Sequence, residues 1–185
     1  MPPKIKTSKE QIANTAFELL QKEGLPSLSA KNLAKKLNCS TQPLFWWYEN
    51  MDEIKEVALM RAYGLFKEYL SEDIQGVNAY KAIGINYIRF ANREKQLFKA
   101  LFMSEKKSKD TLEVINDFPF IYDALMSQSS LSHEDAKKVM REMWLFSHGI
   151  ATMVATDTAS FSQEEIYDML TETFKGLVLY HTQKK

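Results

Sequence analysis

Residues 40–50, STQPLFWWYEN, carry the side chains whose types and spacing most clearly suggest chemistry. Thr41 and Gln42 can donate and accept hydrogen bonds, and Pro43 follows them directly. An unbroken aromatic run then places rings on every side of a helix (Phe45, Trp46, Trp47 and Tyr48). A helix that only covers a core needs apolar side chains on one face. The segment therefore offers contacts to a partner, with packing of the aromatic rings between helices as the alternative.

No residue constellation in the sequence is typical of an enzyme. His133, His148 and His181 lie far apart, and none has a second metal-type ligand at helical spacing. The sequence contains neither a phosphate-binding loop nor a G-x-S-x-G motif. Cys39, the single cysteine, is interpreted as a small core residue, with a redox role as the alternative. We therefore expect a non-enzymatic protein with no catalytic residues, no metal and no cofactor.

Charge is unevenly distributed along the 185 residues, although the formal net charge is zero. Residues 1–48 hold seven lysines against three glutamates, so the remainder of the chain is acidic. A basic N-terminal segment favours a polyanionic partner, and a chance fluctuation in the distribution of charge is the alternative. The sequence has no apolar run long enough to span a membrane and no signal peptide at MPPKIKTSKE. We expect a soluble cytoplasmic protein without a membrane partner.

Helical spacing of apolar residues dominates the chain and predicts an all-α fold. Ser8 to Gln11 has the form of a capping box, and Gly24 is typical of the end of that first helix. A second helix has apolar residues at i, i+3, i+4 and i+7, namely Ala30, Leu33, Ala34 and Leu37. Asn38 follows where the chain must turn, and asparagine tolerates the left-handed conformation.

A third short helix is predicted over residues 40–48, capped by Ser40, with Leu44 and Tyr48 facing inward. Asn50 is predicted to cap a fourth helix. The buried stripe predicted for that helix is Ile54, Val57, Ala58, Leu65 and Tyr69. Two short helices joined tightly after a longer one form a helix-turn-helix arrangement, whose second helix enters the major groove of DNA.

The N-terminal segment, from about residue 9 to residue 60, resembles the DNA-binding domain of the tetracycline-repressor family of bacterial transcription regulators. The resemblance rests on SKEQIANTAFELLQKEG and SAKNLAKKLNCSTQPLFWWYENMDEI, which include a glycine at the end of the first helix. The Leu33–Ala34 and Leu44–Phe45 pairs match the family pattern. The resemblance implies a helix-turn-helix DNA-binding domain at residues 1–50 and a helical ligand-binding and dimerisation domain at residues 51–185.

The candidate contacts with double-stranded operator DNA lie on and around the third helix. Glutamine suits adenine edges, and Pro43 and Phe45 could contact a thymine methyl group. The complete set is Ser29, Lys31, Thr41, Gln42, Pro43, Phe45, Trp46, Trp47 and Lys55, with Lys4, Lys6 and Lys9 as a possible basic arm. The chain departs from the family pattern at Asn38, Phe45, Trp47 and Met51, where the family commonly has glycine, tyrosine, histidine and lysine. These departures keep open a second interpretation, a helical ligand-binding or interaction protein with weak or lost operator binding.

The rest of the chain is predicted to contain three helices over 77–93, 110–128 and 132–156, the second broken or bent at Pro119. A Ser162–Glu165 capping box is predicted to open the last helix. The large, soft side chains of this part of the chain favour an adaptable apolar pocket, and plain core packing is the alternative for each. The resemblance implies that a small-molecule effector binds there and releases DNA. The candidate ligand-binding residues are Phe90, Phe98, Phe102, Phe118, Tyr122, Met126, Trp144 and His148, and His148 could instead satisfy a core partner.

The last two helices are the predicted surface for a homodimer. A single recognition helix covers few base pairs, so two-fold pairing is the simplest source of a second one. Gly149 and Gly176 lie in mid-helix, where glycine costs about 1 kcal/mol relative to alanine and needs a packing reason. Two helices from each chain would form a four-helix bundle, unless these stripes only seal the monomer core. The candidate interface residues are Gly149, Met153, Phe174, Leu177 and Val178.

Overall fold

The computed structural model describes residues 7–104 and 118–183, and in these ranges the fold is all-helical, as predicted. No strand is found in the part of the chain that is described. Two short 3-10 helices, Leu25–Ser27 and Gln42–Trp46, accompany the α-helices. The α-helices are α1 (Lys9–Glu23), α2 (Ala30–Lys36), α3 (Met51–Leu70), α4 (Ala79–Arg93), α5 (Lys95–Phe102), α6 (Pro119–Met126), α7 (His133–Ala155) and α8 (Gln163–Gln183).

The chain divides into two compact units. The first contains residues 1–65 and 94–105, and the second contains residues 66–93 and 106–185. The first unit thus gains α5 from later in the sequence, while α3 contributes residues to both units. Assignment of DNA binding to residues 1–50 and of ligand binding and dimerisation to residues 51–185 stays a prediction.

Local signals define the helices of the first unit. The Ser8 hydroxyl accepts a hydrogen bond from the Gln11 backbone N–H, and the Gln11 side chain accepts one from the Ser8 N–H, which confirms the capping box. Gly24 ends α1 with φ of 82°, a conformation that favours glycine. Asn38 has φ of 51° in the turn after α2, as predicted. Helices α1, α2 and α5 pack around a core that includes Ile12, Ala16, Leu20, Leu33 and Leu97.

Helix α3 begins as predicted but buries a different stripe. The Asn50 carboxamide oxygen accepts hydrogen bonds from the backbone N–H groups of Asp52 and Glu53, which confirms the cap. Val57, Leu65 and Tyr69 are only partly buried, so the predicted stripe was wrong at these positions. The buried residues recur strictly at every fourth position, because one continuous face of the helix is covered: Ile54, Ala58, Ala62, Phe66 and Leu70.

An aromatic cluster lies at the centre of the second unit. The fully buried ring of Phe66 lies edge-on to Tyr87, Phe90 and Phe118, with ring centroids separated by 5.6, 5.1 and 5.8 Å. Edge-to-face arrangements at these distances add stabilisation beyond the burial of apolar area. Helix α7 packs against α4, α6 and α8 around this cluster. The second unit therefore has its own core.

The boundaries of the later helices differ in part from the sequence predictions. Helix α4 begins at Ala79 rather than residue 77, because the Asn78 side chain accepts a hydrogen bond from the Lys81 N–H. The predicted helix over 110–128 falls partly outside the described residues, and within the described residues α6 begins at Pro119, where a break or bend is predicted. Ser132 caps α7, which lies within the helix predicted over 132–156, and the reciprocal Ser162–Glu165 hydrogen bonds open α8 as predicted.

Candidate nucleic-acid interface and pocket

The segment predicted as the third helix forms a 3-10 helix over Gln42–Trp46 rather than an α-helix over 40–48. Its backbone bonds run from the Leu44 N–H to the Thr41 oxygen, 3.2 Å, and from the Trp47 N–H to the Leu44 oxygen, 3.3 Å. Proline biases the preceding residue away from helical angles, so Pro43 disfavours an α-helical first turn. Thr41, not Ser40, holds the N-cap position, and no side chain caps it.

This 3-10 helix has one buried side and a broad exposed side. Leu44 and Tyr48 are buried, as predicted. The aromatic residues between them stay largely exposed, at 42% for Phe45, 49% for Trp46 and 40% for Trp47. Thr41 and Gln42 are exposed as well. Hydrogen-bonding and aromatic side chains are therefore exposed together on this side of the helix.

Two hydrogen bonds attach the end of this helix to the start of α1. The Trp47 indole N–H donates to the Thr7 carbonyl oxygen at 3.0 Å, and the Tyr48 hydroxyl donates to the Lys9 carbonyl oxygen at 3.2 Å. The Lys9 ammonium lies 5.1 Å from the centre of the Tyr48 ring. The Trp47 N–H is thus used within the chain, although its ring remains exposed.

The flanking candidates differ in how far they are already engaged. The Ser29 hydroxyl accepts from the Asn32 N–H at 3.3 Å and caps α2. The Lys55 ammonium lies 3.1 Å from the Asp52 carboxylate. Lys31 is exposed at the start of α2. Lys4 and Lys6 lie outside the described residues, and Cys39 is half-buried rather than fully in the core.

The second unit contains an open cavity of about 600 Å³, counting the space continuous with solvent. Its wall is formed mainly by α4, α7 and α8, with one residue of α6. Gly84 permits the close approach of α4 and α8, because a Cβ atom there would lie 3.3 Å from the Leu170 Cδ1. The lining residues are Asn78, Tyr80, Lys81, Ile83, Gly84, Tyr87, Ile121, Met140, Met143, Trp144, Ser147, Leu170 and Phe174.

Of the predicted ligand-binding residues, only Trp144 lines this cavity. Phe90 and Phe118 belong to the buried aromatic cluster, and Tyr122 and Met126 lie on α6. Phe98 and Phe102 pack against each other in the first unit, with ring centroids 5.0 Å apart. Phe174, predicted at the dimer interface, contributes to the cavity wall.

His148 hydrogen-bonds a core partner, which is the alternative given for it above. Its Nδ1 lies 2.7 Å from the Tyr87 hydroxyl oxygen. Burial raises the pKa of Tyr87 well above its ordinary value, so the phenol stays protonated. This contact fixes the Tyr87 ring beside Trp144, with ring centroids 4.6 Å apart.

The α4 side of the cavity is absent from the sequence prediction, although a signal for it exists. Tyr80, Ile83, Gly84 and Tyr87 occur at i, i+3, i+4 and i+7 and therefore share one helix face. The abundance of phenylalanine and methionine, on which the predicted pocket rests, does not identify a face. The spacing in AYKAIGINY does identify one, and it indicates the cavity residues of α4.

Helices α7 and α8 also carry exposed apolar residues away from the cavity. On α7, Leu145 and Met153 are 51% and 45% exposed, and Gly149 lies between them at the same spacing of four. On α8, Leu179 and Tyr180 are each 55% exposed and share a face with Gly176. Leu177 and Val178 are half-buried. A Cβ atom at Gly149 or Gly176 would meet nothing within 4 Å in the described part of the chain.

Metal-binding clusters and membrane-spanning helices are both missing from the described residues. Within residues 7–104 and 118–183, no group of three or more His, Cys, Asp or Glu residues could hold a metal ion. Among the helices of these same ranges, none combines the length and apolar character needed to cross a bilayer.

Comparisons with known proteins connect the chain to transcription regulators. A curated relative, an uncharacterized HTH-type transcriptional regulator of Haemophilus influenzae, is 33% identical over 64 residues, 35% of this chain and about a third (34%) of the relative. The solved structure of a TetR-like regulator from Rhodococcus sp. RHA1 aligns with 90% of this chain and 92% of its own length, with a TM-score of 0.66. The structure of a tetR-family regulator from Streptomyces coelicolor aligns with 95% of this chain and 82% of its own length, with a TM-score of 0.73. Both structures are 16% identical to this chain, so they show a shared fold. Residues 80–174, more than half of the chain, match the family described as tetracyclin repressor-like, C-terminal domain. The chain belongs to the tetracycline-repressor family of transcriptional regulators.

Proposed function

We propose that the protein is a ligand-responsive repressor that binds a palindromic operator as a homodimer and is released by a small apolar or aromatic ligand. Residues 1–50 would bind DNA, and residues 51–185 would bind the ligand and form the dimer. The observation that carries the proposal is the exposed side of the 3-10 helix Gln42–Trp46. Thr41 and Gln42 are presented there beside exposed aromatic rings, while Leu44 holds the helix to the core.

The proposed DNA contacts divide into two classes. Exposed Thr41 and Gln42 would hydrogen-bond to base edges, and Phe45 with Pro43 would contact thymine methyl groups. Lys31 would contact a DNA phosphate. The other proposed contacts with the sugar–phosphate backbone of the DNA are Ser29, Trp46, Trp47 and Lys55. Phosphate contacts supply much of the affinity without reading sequence, whereas base contacts discriminate between sequences.

Substitution of the reading residues is expected to remove specificity selectively. Gln42→Ala and Thr41→Ala should each weaken binding to the specific operator by about 1 to 3 kcal/mol and leave non-specific binding nearly unchanged. Lys31→Ala should weaken binding to all sequences and reduce the dependence of affinity on salt. Fluorescence anisotropy with operator and scrambled duplexes over a salt series measures both effects.

Gln128→Ala provides the control, because Gln128 is an exposed glutamine in the other unit. Its variant should bind like the parent protein. If Gln42→Ala and Thr41→Ala also retain full operator affinity, the 3-10 helix does not read bases and the proposed contacts are wrong.

The ligand would act by thermodynamic linkage. A molecule filling the cavity of the second unit can lower operator affinity only by as much as it prefers the conformation that does not bind DNA. Since Trp144 forms part of the cavity wall, its fluorescence should change on binding. Ligand binding that leaves operator affinity unaltered would remove the switch from the proposal.

A second candidate function is a ligand-binding or interaction protein that has lost operator binding. It is favoured by the Trp47 N–H, which already donates to the Thr7 carbonyl, and by Phe45, which has no hydroxyl group for phosphate. A salt titration separates the two functions. A steep loss of affinity with salt together with preference for DNA upstream of its own gene supports the repressor, whereas equal and weak binding to all DNA supports the alternative.

A further inference from the structure

Two hydroxyl groups of the cavity wall have no hydrogen-bond partner in the described part of the chain. Tyr80 on α4 is 9% exposed and Ser147 on α7 is 5% exposed, and both line the cavity. Neither hydroxyl donates to or accepts from another group of the described residues. Burial raises the pKa of Tyr80, so its hydroxyl keeps its proton at neutral pH. A buried hydroxyl without a partner is unfavourable, and a bound molecule would supply one.

Both hydroxyl oxygens retain accessible surface. Among the described residues that are not exposed, the side-chain atoms that are fully enclosed and lack a partner are Asn86 Oδ1, Arg89 Nε and Trp144 Nε1. The unpaired oxygens of Tyr80 and Ser147 are not in that set, so neither is fully enclosed. Because both residues are buried members of the cavity wall, this remaining surface is surface of the cavity. A bound molecule can therefore reach these two oxygens, whereas it cannot reach the Trp144 indole nitrogen.

Gly84 leaves room beside the Ser147 hydroxyl. A Cβ atom at Gly84 would lie 3.8 Å from the Ser147 Oγ and 3.3 Å from the Leu170 Cδ1. These three residues belong to α4, α7 and α8, and all three line the cavity. The Ser147 oxygen thus lies where the three helices meet at the cavity, with only a glycine on the α4 side.

The wall offers no counterion to a charged ligand. Among the thirteen lining residues, all within the described part of the chain, none is an aspartate or a glutamate. The ammonium of Lys81, the lysine in this set, lies 3.8 Å from the centre of the Tyr167 ring, and Tyr167 is not a lining residue. An ionised group buried without a partner costs far more free energy than an uncharged polar group. The wall therefore disfavours a ligand charge of either sign.

Resting on the ligand-responsive function proposed above, we infer that the effector is an uncharged aromatic molecule whose oxygen atom hydrogen-bonds to the Ser147 and Tyr80 hydroxyl groups. Each hydroxyl can both donate and accept, so alcohols, ketones and esters fit alike. The aromatic and thioether side chains of the wall contact the apolar part of the molecule. Carboxylates and lipophilic amines, which are ionised at neutral pH, are excluded.

Four naphthalene derivatives of similar size test this inference on the full chain by titration calorimetry at neutral pH. Naphthylmethanol is uncharged, naphthylmethylamine is a cation, naphthoate is an anion, and ethylnaphthalene has no polar atom. Naphthylmethanol should bind about tenfold or more tightly than either charged probe, because the wall pairs neither charge. A charged probe that binds as tightly as naphthylmethanol, or no binding by any probe, would overturn the inference.

Two conservative substitutions, Ser147→Ala and Tyr80→Phe, remove the hydroxyl groups and little else. Combined, they should weaken naphthylmethanol binding about three- to tenfold and change ethylnaphthalene binding less than about twofold, because only the alcohol loses a hydrogen bond. Tyr167→Phe is the matched control, since it removes a tyrosine hydroxyl outside the wall and should bind both probes like the parent protein.

A combined variant that binds both probes as the parent does shows that the two hydroxyl groups do not contact the ligand, and it overturns the inference. The single variants apportion the effect between the two oxygens. If the combined variant does not fold, the single variants and the parent probe series decide the inference on the same criteria.

The same samples separate this inference from the proposed function. Operator binding by the parent protein is measured with and without naphthylmethanol. The expected probe preference without any operator binding supports the pocket chemistry and contradicts the repressor. Operator binding together with the wrong probe preference supports the repressor and overturns the ligand class.

Discussion

Replacing Gly149 by leucine is expected to convert the proposed dimer into a monomer and to weaken operator binding by about a hundredfold or more, because two linked DNA-binding domains bind far more tightly than one. A side chain at this position would meet nothing within 4 Å inside the described chain. Leucine also favours a helix over glycine by about 0.8 to 1 kcal/mol, so the variant should not unfold. Any loss of assembly therefore reflects contact with a second copy. Gly176→Leu on α8 should behave alike.

Gly64→Leu is the matched control for this prediction. Gly64 lies in mid-helix on α3, and a Cβ atom there would likewise meet nothing within 4 Å in the described chain, so leucine brings the same gain in helix propensity. Sedimentation velocity at micromolar concentration should show a dimer for the parent and for Gly64→Leu. A monomeric parent, or a dimeric Gly149→Leu variant with full operator affinity, contradicts the proposed interface.

Phe66→Ala is expected to lower the free energy of unfolding by about 3 to 5 kcal/mol. Phe66 is fully buried, and its ring contacts three other rings in edge-on geometry. Truncation would leave a cavity in the centre of the second unit, which rigid neighbouring rings cannot collapse to fill. Chemical denaturation followed by near-ultraviolet circular dichroism measures the loss.

Met60→Ala on the same helix is the control that separates the loss of buried packing from the effect of placing alanine in helix α3. Met60 is 68% exposed, so its truncation should change the unfolding free energy by no more than about 0.5 kcal/mol. A loss below about 1 kcal/mol for Phe66→Ala would show that the aromatic cluster repacks without it.

Helix ends are predictable here because they depend on a few adjacent residues. Ser8, Gly24, Asn50 and Ser162 each act through their own side chain or backbone angle, so the signal is complete in the local sequence. The 3-10 helix is not predicted from the sequence, because its apolar spacing fits either helix type. In this segment, the restriction that Pro43 places on the residue before it and the short length of the helical run favour a 3-10 helix over an α-helix.

The cavity is less predictable because it depends on how neighbouring helices approach. Phe118 and Trp144 look equally suitable in the sequence, yet one fills the aromatic core and the other lines open space. Gly84, for example, allows Leu170 of α8 to approach α4 closely at the cavity. Such contacts join residues far apart in the chain, so the local spacing that groups the α4 residues on one face does not show which residues of other helices meet that face.

In the proposed repressor, the short 3-10 helix at residues 42–46 would limit how much DNA sequence one protein copy can read. At about 2.0 Å per residue it extends about 10 Å, the length of about three base pairs. Two copies would read about six base pairs in two half-sites, and a given sequence of six base pairs recurs by chance about once in four thousand positions. Because a genome offers at least about a million competing positions, hundreds of accidental matches would remain. We therefore expect the spacing between the two half-sites, and the shape of the DNA between them, to contribute as much to operator recognition as the sequences of the half-sites themselves.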